Sequence, residues 1–261
     1  MPQLPRFTDK RVVVTGAAGI YGGWIAAAFA AEGAILCLTD FRRDKLEEAV
    51  ERLGLDRSRI LLHTADLTDG ASIRELAAFV AAQWGAPDIV VNNAGVYPRT
   101  GILLNLDDAE FDRIMNVNVR APFIVTKEMA KLMIVQGIHG AFVNIGSGAA
   151  RQMPTGSVTY CMSKTALERL SKGQALELAP HRIRVNVVEP GFAPGSDFSY
   201  LPPDYVERMT ARIPLGRNSG PDDTPQMVLY LCSDSASYVT GAVVSVDGGN
   251  SIGTFQPATN S

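Results

Sequence analysis

Cysteine is scarce. The chain has three, Cys37, Cys161 and Cys232, an odd and widely spaced set. That is no disulfide framework, and the expectation is three free, buried thiols in a reducing cytoplasm. Histidine is equally thin: His63, His139 and His181 lie far apart, with no cysteine at ligand spacing, so no metal site is expected. Long apolar runs are missing. The longest, Trp24 to Ala31, is mostly alanine and stops at Glu32, far short of the ~20 residues a membrane span needs. The N-terminus, MPQLPRFTDKR, shows no apolar signal-peptide core, and the C-terminus, TFQPATNS, no prenylation or peroxisomal signal. Neither charge dominates: 24 basic against 27 acidic residues give a net −3, which argues against a basic nucleic-acid-binding face. There is no internal repeat and no low-complexity linker.

What is present is an ordinary globular composition, 46% hydrophobic and 20% charged over 261 residues, with chain enough for a sizeable core. Short β-branched runs predict strands at Arg11–Thr15, Ala34–Thr39, Arg59–Ala65, Asp88–Asn92, Ala141–Gly146, Ile183–Glu189 and Ala242–Asp247. They are nearly continuously apolar, the pattern of strands covered on both faces, hence a parallel sheet. Helical patterns fall between them at Ile20–Glu32, Asp44–Leu53, Ser72–Gln83, Asp108–Val135 and Thr159–Leu178. Strand–helix alternation predicts an α/β protein: a single-domain Rossmann fold over 1–261, doubly wound, with a mostly parallel seven-stranded sheet and helices on both faces. Residues 190–223, rich in Pro, Gly and Ser, are too long for an idle connection and form a candidate substrate lid.

The first predicted strand runs into Thr15-Gly16-Ala17-Ala18-Gly19-Ile20-Tyr21-Gly22-Gly23 and then an alanine-rich helix. Glycines there let backbone approach a pyrophosphate, and the helix N-terminus behind them offers free N–H groups and the positive dipole end. Asp40, at the end of the second strand, can accept hydrogen bonds from ribose hydroxyls and repel a 2′-phosphate, which favours NAD. Arg42 and Arg43 follow, and an arginine beside this point can pair with a 2′-phosphate.

Tyr160 and Lys164 are four apart at the start of a helical pattern and share one face. A free tyrosine is a poor base at neutral pH. A neighbouring ammonium favours the phenolate, and reaching a pKa near 7 takes roughly 4 kcal/mol. Lys164 and a nearby nicotinamide charge are the sources this reading invokes. Ser147, at the end of the fifth strand, has a hydroxyl able to fix a substrate oxygen while Tyr160 exchanges the proton.

With the glycine loop, Asp66-Leu67, Asn92-Asn93-Ala94-Gly95, Asn116-Val117-Asn118-Val119, Ser147, Tyr160-x-x-x-Lys164, Pro190-Gly191 and Val246-Asp247-Gly248-Gly249, the chain resembles the classical short-chain dehydrogenase/reductases over nearly its whole length. The resemblance implies Tyr160 as catalytic acid/base and Lys164 as the group that holds the nicotinamide ribose and lowers the tyrosine pKa. It implies Ser147 as the substrate-oxygen anchor and Asn118 as the holder of a relay water. Cofactor contacts are implied at Gly16, Gly19, Ile20, Tyr21, Gly22, Asp40, Asp66, Leu67, Asn93, Tyr160, Lys164 and Ala193. Two positions depart from the pattern. Ile20 stands where the classical loop has glycine, so a β-branched residue sits where backbone approach matters. Gly195 stands where a threonine often holds the carboxamide, with Ser196 as a possible substitute.

These residues predict an NAD(H)-dependent oxidoreductase interconverting a secondary alcohol and a ketone. The loop lining offers Tyr97, Met153, Phe192, Phe198, Tyr200 and Leu201, with Arg151 as its charge, which points to a cyclic or aromatic substrate. An NADPH-dependent ketoreductase is the alternative. The spacing Gly16-x-x-Gly19-x-x-Gly22 keeps an epimerase or dehydratase with tightly bound NAD in view. A serine hydrolase fails because Ser147 lies outside any G-x-S-x-G elbow. A dinucleotide sensor without chemistry has no need of the Tyr160, Lys164, Ser147 and Asn118 set. The resemblance implies a homotetramer, with a homodimer as the alternative, and no nucleic-acid or membrane partner.

Overall fold

The computed structural model describes residues 6–97, 102–195 and 201–255. Seven strands, β1 (Arg11–Thr15), β2 (Ile35–Asp40), β3 (Ile60–Thr64), β4 (Ile89–Asn92), β5 (Ala141–Ile145), β6 (Arg184–Pro190) and β7 (Val243–Val246), form one sheet in the order β3-β2-β1-β4-β5-β6-β7. Every pairing is parallel; Val12 lies opposite Leu36 on one side and Ile89 on the other. The chain winds outward from β1 to β3, then crosses back to place β4 beside β1. The two halves therefore diverge between β1 and β4, and loops at the carboxyl ends of those strands border a crevice.

Side-chain alternation divides the core. Val12 and Val14 of β1 face a cluster with Leu36, Leu38, Val91 and Val143 of the sheet, Ile25 and Phe29 of α1 (Ile20–Ala31), Leu46 of α2 (Arg43–Arg52) and Val228 of α8 (Thr224–Cys232). Val13 faces the opposite cluster, with Cys37, Val90, Phe142, Ile73 and Leu76 of α3 (Gly70–Trp84), and Met129 and Met133 of α5 (Ala121–Val135). Because both faces are covered, the strands read as unbroken apolar runs. Cys37, Cys161 and Cys232 are free and buried, as expected. No helix among the described residues is long and apolar enough to cross a membrane.

The structure corrects two expectations. The predicted helix Asp108–Val135 is α4 (Asp108–Met115) and α5 joined through a π-turn at Asn116–Arg120, so the periodicity is continuous but the hydrogen-bond ladder is not. The candidate lid also contains regular structure: α7 (Pro203–Thr210) starts on a proline in its first turn, with Asp204 at the positive end of its dipole. Around α7 the described lid residues are tied down, Leu215 N–H donating to the Gly248 carbonyl at 3.1 Å and Ser219 N–H to the Phe192 carbonyl at 2.8 Å.

A buried amide network crosses the sheet. Asn92 Nδ2 donates to Asn144 Oδ1 at 2.7 Å and Thr126 Oγ1 at 3.2 Å. Asn144 Nδ2 donates to Ser171 Oγ at 2.8 Å, and Ser171 donates to the Leu167 carbonyl at 2.6 Å. The network joins β4 and β5 to α5 and to α6 (Val158–Leu178), the helix that carries Tyr160 and Lys164. Buried amides are costly without partners. Replacing Asn144 with alanine takes from the Asn92 amide its shorter hydrogen bond, leaving it Thr126, and takes from the Ser171 oxygen its amide donor. Asn144→Ala is expected to lower stability by roughly 2–4 kcal/mol in urea unfolding, read at unchanged m-value.

Candidate active site

The glycine loop is held by the strand beside it. Gly16 has φ +63°, and a Cβ there would lie 2.8 Å from the Ala94 backbone. A Cβ on Gly22 would meet Asn93 Nδ2 at 2.7 Å and Ala17 Cα at 2.8 Å. Asn93 Nδ2 donates to the Thr15 and Gly16 carbonyls at 2.9 and 3.0 Å, while Thr15 Oγ1 receives the N–H groups of Asn93 and Ala94, both at 3.1 Å. Asn93 therefore clamps the loop rather than presenting a free amide. Ile20 is the first residue of α1 and has no positive φ, with Gly19 extended before it (φ −76°, ψ 170°). The β-branched side chain falls where the helix has begun, so it does not distort the loop. Gly19 carries no side-chain cap, which leaves the first N–H groups of α1 without a side-chain acceptor from that position.

Asp40 is buried (7% exposed) at the end of β2. Burial pushes its carboxyl up, opposed by the Arg42 N–H at 3.2 Å, the Arg42 guanidinium at 3.7 Å and the backbone N–H groups of Ala18 and Phe41. Arg42 also lies over the Phe41 ring, 5.1 Å from its centroid. Arg43 turns to its own helix and to β3, with Nε on Glu47 at 2.6 Å and Nη1 on the Leu62 carbonyl at 3.1 Å. Tyr21 ties the first turn of α1 to the loop after β6: its hydroxyl donates to the Gly191 carbonyl at 2.8 Å, and burial raises its pKa to about 12. Asp66 caps its own turn, accepting from Thr68 N–H and Oγ1 at 2.8 and 2.7 Å. Leu67 packs against the core under β3, and Ala193 is half-buried after β6. Gly195 has φ +100°, which disfavours the threonine often found there; Ser196 lies outside the described residues.

Tyr160, Lys164 and Ser147 meet as the spacing predicts. Lys164 is buried (4% exposed), and Nζ donates to the Ile145 carbonyl at 2.8 Å and lies 5.8 Å from the Tyr160 ring centroid. It forms no ion pair among the described residues, and burial lowers its pKa to about 8. Ser147, capping a short turn after β5, hydrogen-bonds the Tyr160 hydroxyl. The expected lowering of the Tyr160 pKa is not found in the protein alone. Burial pushes the phenol up, and the Ser147 hydrogen bond only opposes this.

Asn118 lies in the π-turn, a feature common at functional sites. Its side chain grips the loop after β4: Oδ1 accepts from Val96 N–H at 2.8 Å, and Nδ2 donates to the Val96 carbonyl at 2.9 Å and to Ser163 Oγ at 3.0 Å. A Cβ on Gly95 would stand 3.5 Å from both Asn118 Oδ1 and Lys164 Nζ, so glycine keeps this gap open. Tyr97 leans on Tyr160, ring centroids 4.7 Å apart, and hydrogen-bonds Ser157 Oγ at 2.7 Å. Met153 is exposed, and Phe192 packs edge-on to Tyr205 of α7. Phe198 and Tyr200 lie outside the described residues. Arg151 is paired with buried Glu189, so its charge is not free for a substrate.

A glycine-lined helix N-terminus, a buried carboxylate at the next strand end, and a buried ammonium beside a tyrosine–serine pair fit a nicotinamide dinucleotide. The family model described as "Enoyl-(Acyl carrier protein) reductase" matches residues 16–251. The chain belongs to the short-chain dehydrogenase/reductase family. The family is one of oxidoreductases. The 3-oxoacyl-[acyl-carrier-protein] reductase FabG of Thermotoga maritima is 34% identical over 244 residues, 94% of this chain and 98% of that protein. A 3alpha-hydroxysteroid dehydrogenase of Mediterraneibacter gnavus is 35% identical over 242 residues, 92% of this chain and 96% of that protein. A short-chain type dehydrogenase/reductase from Mycobacterium marinum superposes with a TM-score of 0.87 at 32% identity, over 95% of this chain and 97% of that one.

The raised phenol gives a test. In the protein alone, the Tyr160 phenolate, read as the ultraviolet difference between wild type and Tyr160→Phe, is expected to titrate above the ordinary value of about 10. Addition of NAD⁺ is expected to move that midpoint downward.

Proposed function

We propose that this protein is an NAD(H)-dependent oxidoreductase that interconverts a secondary alcohol and a ketone, with a cyclic or aromatic substrate. The observation that carries the reading is the Ser147–Tyr160–Lys164 set at the carboxyl edge of the sheet, beside the glycine-lined start of α1. In the reduction direction Tyr160 donates its hydroxyl proton to the carbonyl oxygen; in oxidation it takes that proton back. Ser147 holds the same oxygen by a hydrogen bond. Lys164, fixed by the Ile145 carbonyl, directs its remaining N–H groups into the gap kept by Gly95, where ribose hydroxyls would lie. When bound, the nicotinamide supplies the hydride acceptor or donor. The Asn118 amide is fully engaged by Val96 and Ser163, so a relay water would rest on backbone that the π-turn releases from the helical ladder. The remaining contact residues are Gly16, Gly19, Ile20, Tyr21, Gly22, Asp40, Asp66, Leu67, Asn93 and Ala193, with Asn93 and Tyr21 shaping the cleft.

Preference for NAD is supported by the buried Asp40 carboxylate, and by the engagement of Arg42 with Asp40 and of Arg43 with Glu47. An apolar substrate is supported by the Tyr97, Met153 and Phe192 surroundings and by the pairing of Arg151. The specific observation favouring reduction of an acyclic 3-oxo thioester is the likeness to a 3-oxoacyl reductase. We further propose that residues 190–223 act as the substrate lid of a single domain, and that the chain works in the cytoplasm as a homotetramer.

Fluorescence titration tests the cofactor reading: NADH is expected to bind at least about tenfold tighter than NADPH, a difference of ~1.4 kcal/mol. NADPH binding tighter than NADH would overturn the role given to Asp40. Tyr160→Phe is expected to lose at least ~10²-fold in kcat while keeping NADH affinity. Near-normal turnover in that variant would remove Tyr160 from the chemistry.

A further inference from the structure

Behind the Ser147 loop lies a charged cluster that the reaction scheme does not use. Glu189, near the end of β6, is 0% exposed. Its Oε2 pairs with Arg151 Nη2 at 2.5 Å and accepts from Ser245 Oγ at 2.8 Å. Arg151 Nη2 also donates to Ser245 Oγ at 2.7 Å and Ser251 Oγ at 2.8 Å. Glu168, one helical turn beyond Lys164 on α6, is in side-chain hydrogen-bond contact with Glu189. Each of the two carboxyls has a buried Oε1 with no donor from the described residues. Ionised carboxylates only accept hydrogen bonds, so a bond between two of them requires a proton on one. Burial, and then the Glu189 neighbour, push Glu168 up, which puts the proton there. The charged groups that face this pair are Arg151 from the Ser147 loop and Lys172 from α6. Asp247 is turned into its own turn, accepting from Gly249 and Ser251 N–H groups.

The cluster joins every piece that sets the Ser147–Tyr160 geometry. Arg151 ends the short turn that Ser147 caps. Thr165 Oγ1 of α6 donates to the Ala150 carbonyl at 2.9 Å, Gln152 Nε2 donates to the Asn250 carbonyl at 3.2 Å, and a Cβ on Gly148 would lie 2.6 Å from Ser251 Cβ. The loop that carries Ser147 is thus fastened to the helix that carries Tyr160 and to the turn after β7. We propose that Arg151, Glu189 and Glu168 are positioning residues, a buckle held by one shared proton that keeps Ser147 on Tyr160. The idea rests on the reading of Ser147 and Tyr160 as the pair that handles the substrate oxygen. While the proton is present, one carboxylate faces one guanidinium. A group whose pKa is raised on folding keeps its contribution at low pH and loses it as pH climbs through the folded value. Loss of the proton therefore sets two carboxylates against each other and loosens the loop as pH rises through the raised Glu168 value.

The test compares wild type with E189Q, R151K and E168Q in kcat, KM and NADH affinity from pH 6 to 10, with amide hydrogen exchange of the 147–157 segment. E189Q and R151K are expected to lower kcat at least tenfold at pH 7, with NADH affinity within twofold of wild type. E168Q, whose amide donates to Glu189 at every pH, is expected to move the fall of kcat with rising pH upward by at least half a pH unit. Unchanged kcat in both E189Q and R151K, or an unmoved fall of kcat with rising pH in E168Q, would overturn the proposal. So would a fall in kcat matched by an equal loss of NADH affinity. Should E189Q not fold, R151K and E168Q decide the matter. If wild type turns over no alcohol or ketone, the functional reading has failed on its own, and exchange still judges the buckle. Faster exchange of the 147–157 segment in E189Q or R151K at pH 7 then supports it, and unchanged exchange refutes it.

Discussion

The site depends on how closely the turn after β1 approaches the turn after β4. Gly16 lies against the Ala94 backbone with no room for a side chain, and the Asn93 amide closes on the carbonyls of Thr15 and Gly16. That contact occurs where the two halves of the sheet separate, β1 leading into α1 on one face and β4 towards α5 on the other. It fixes the direction of α1 and so the direction of its free N–H groups. It also fixes where the chain stands at Gly95 and Val96, from which Asn118 reaches back to α6 through Ser163. Move the two turns apart and the phosphate end and the chemical end of the crevice lose their common reference.

Much of this was legible in the residues because it rests on local rules. Val12, Val13 and Val14 are apolar in succession since alternate side chains enter two different cores, and that run is visible without coordinates. The Tyr160–Lys164 pair follows from helix spacing alone. Gly16 and Gly22 were legible as well, although the reason at Gly22 is packing against Asn93 and Ala17 rather than a positive φ. Ile20 looked like an intrusion into the phosphate loop, yet α1 begins at that residue, so a β-branched side chain there costs the loop nothing.

What the sequence hid depends on distant partners. Asn116-Val117-Asn118-Val119-Arg120 continues the helical pattern on either side, and only the grip of Asn118 on Val96 and Ser163 shows why the ladder widens there. Arg151 read as a pocket charge, because its counter-charge is Glu189, 38 positions later and on another strand. The Asn92–Asn144–Ser171 network was invisible for the same reason: each member is an unremarkable polar residue until β4, β5 and α6 are side by side. In α7 a local signal was present, Pro202-Pro203-Asp204, but it lay inside a stretch whose composition reads as irregular.

The electrostatics of the crevice carry the argument further. Among the described residues the protein buries an ammonium at Lys164 without a carboxylate partner and a carboxylate at Asp40 beside the Arg42 guanidinium, and it leaves a phenol at Tyr160 with its proton held more tightly than in water. Each of these is a cost that burial imposes on a charged form. Such costs are tolerated where a ligand supplies the missing partner, and hydroxyl-rich ribose groups suit both Lys164 and Asp40. The phenol is the telling member. If the protein alone lowered its pKa, Tyr160 would be an active base at all times, with or without anything to react. Because burial raises it instead, the proton exchange proposed for Tyr160 would be favoured by positive charge entering the crevice beside it. On that proposal the acid/base is coupled to occupancy of the site, and the burial that raises the phenol also strengthens the charge interactions that would lower it.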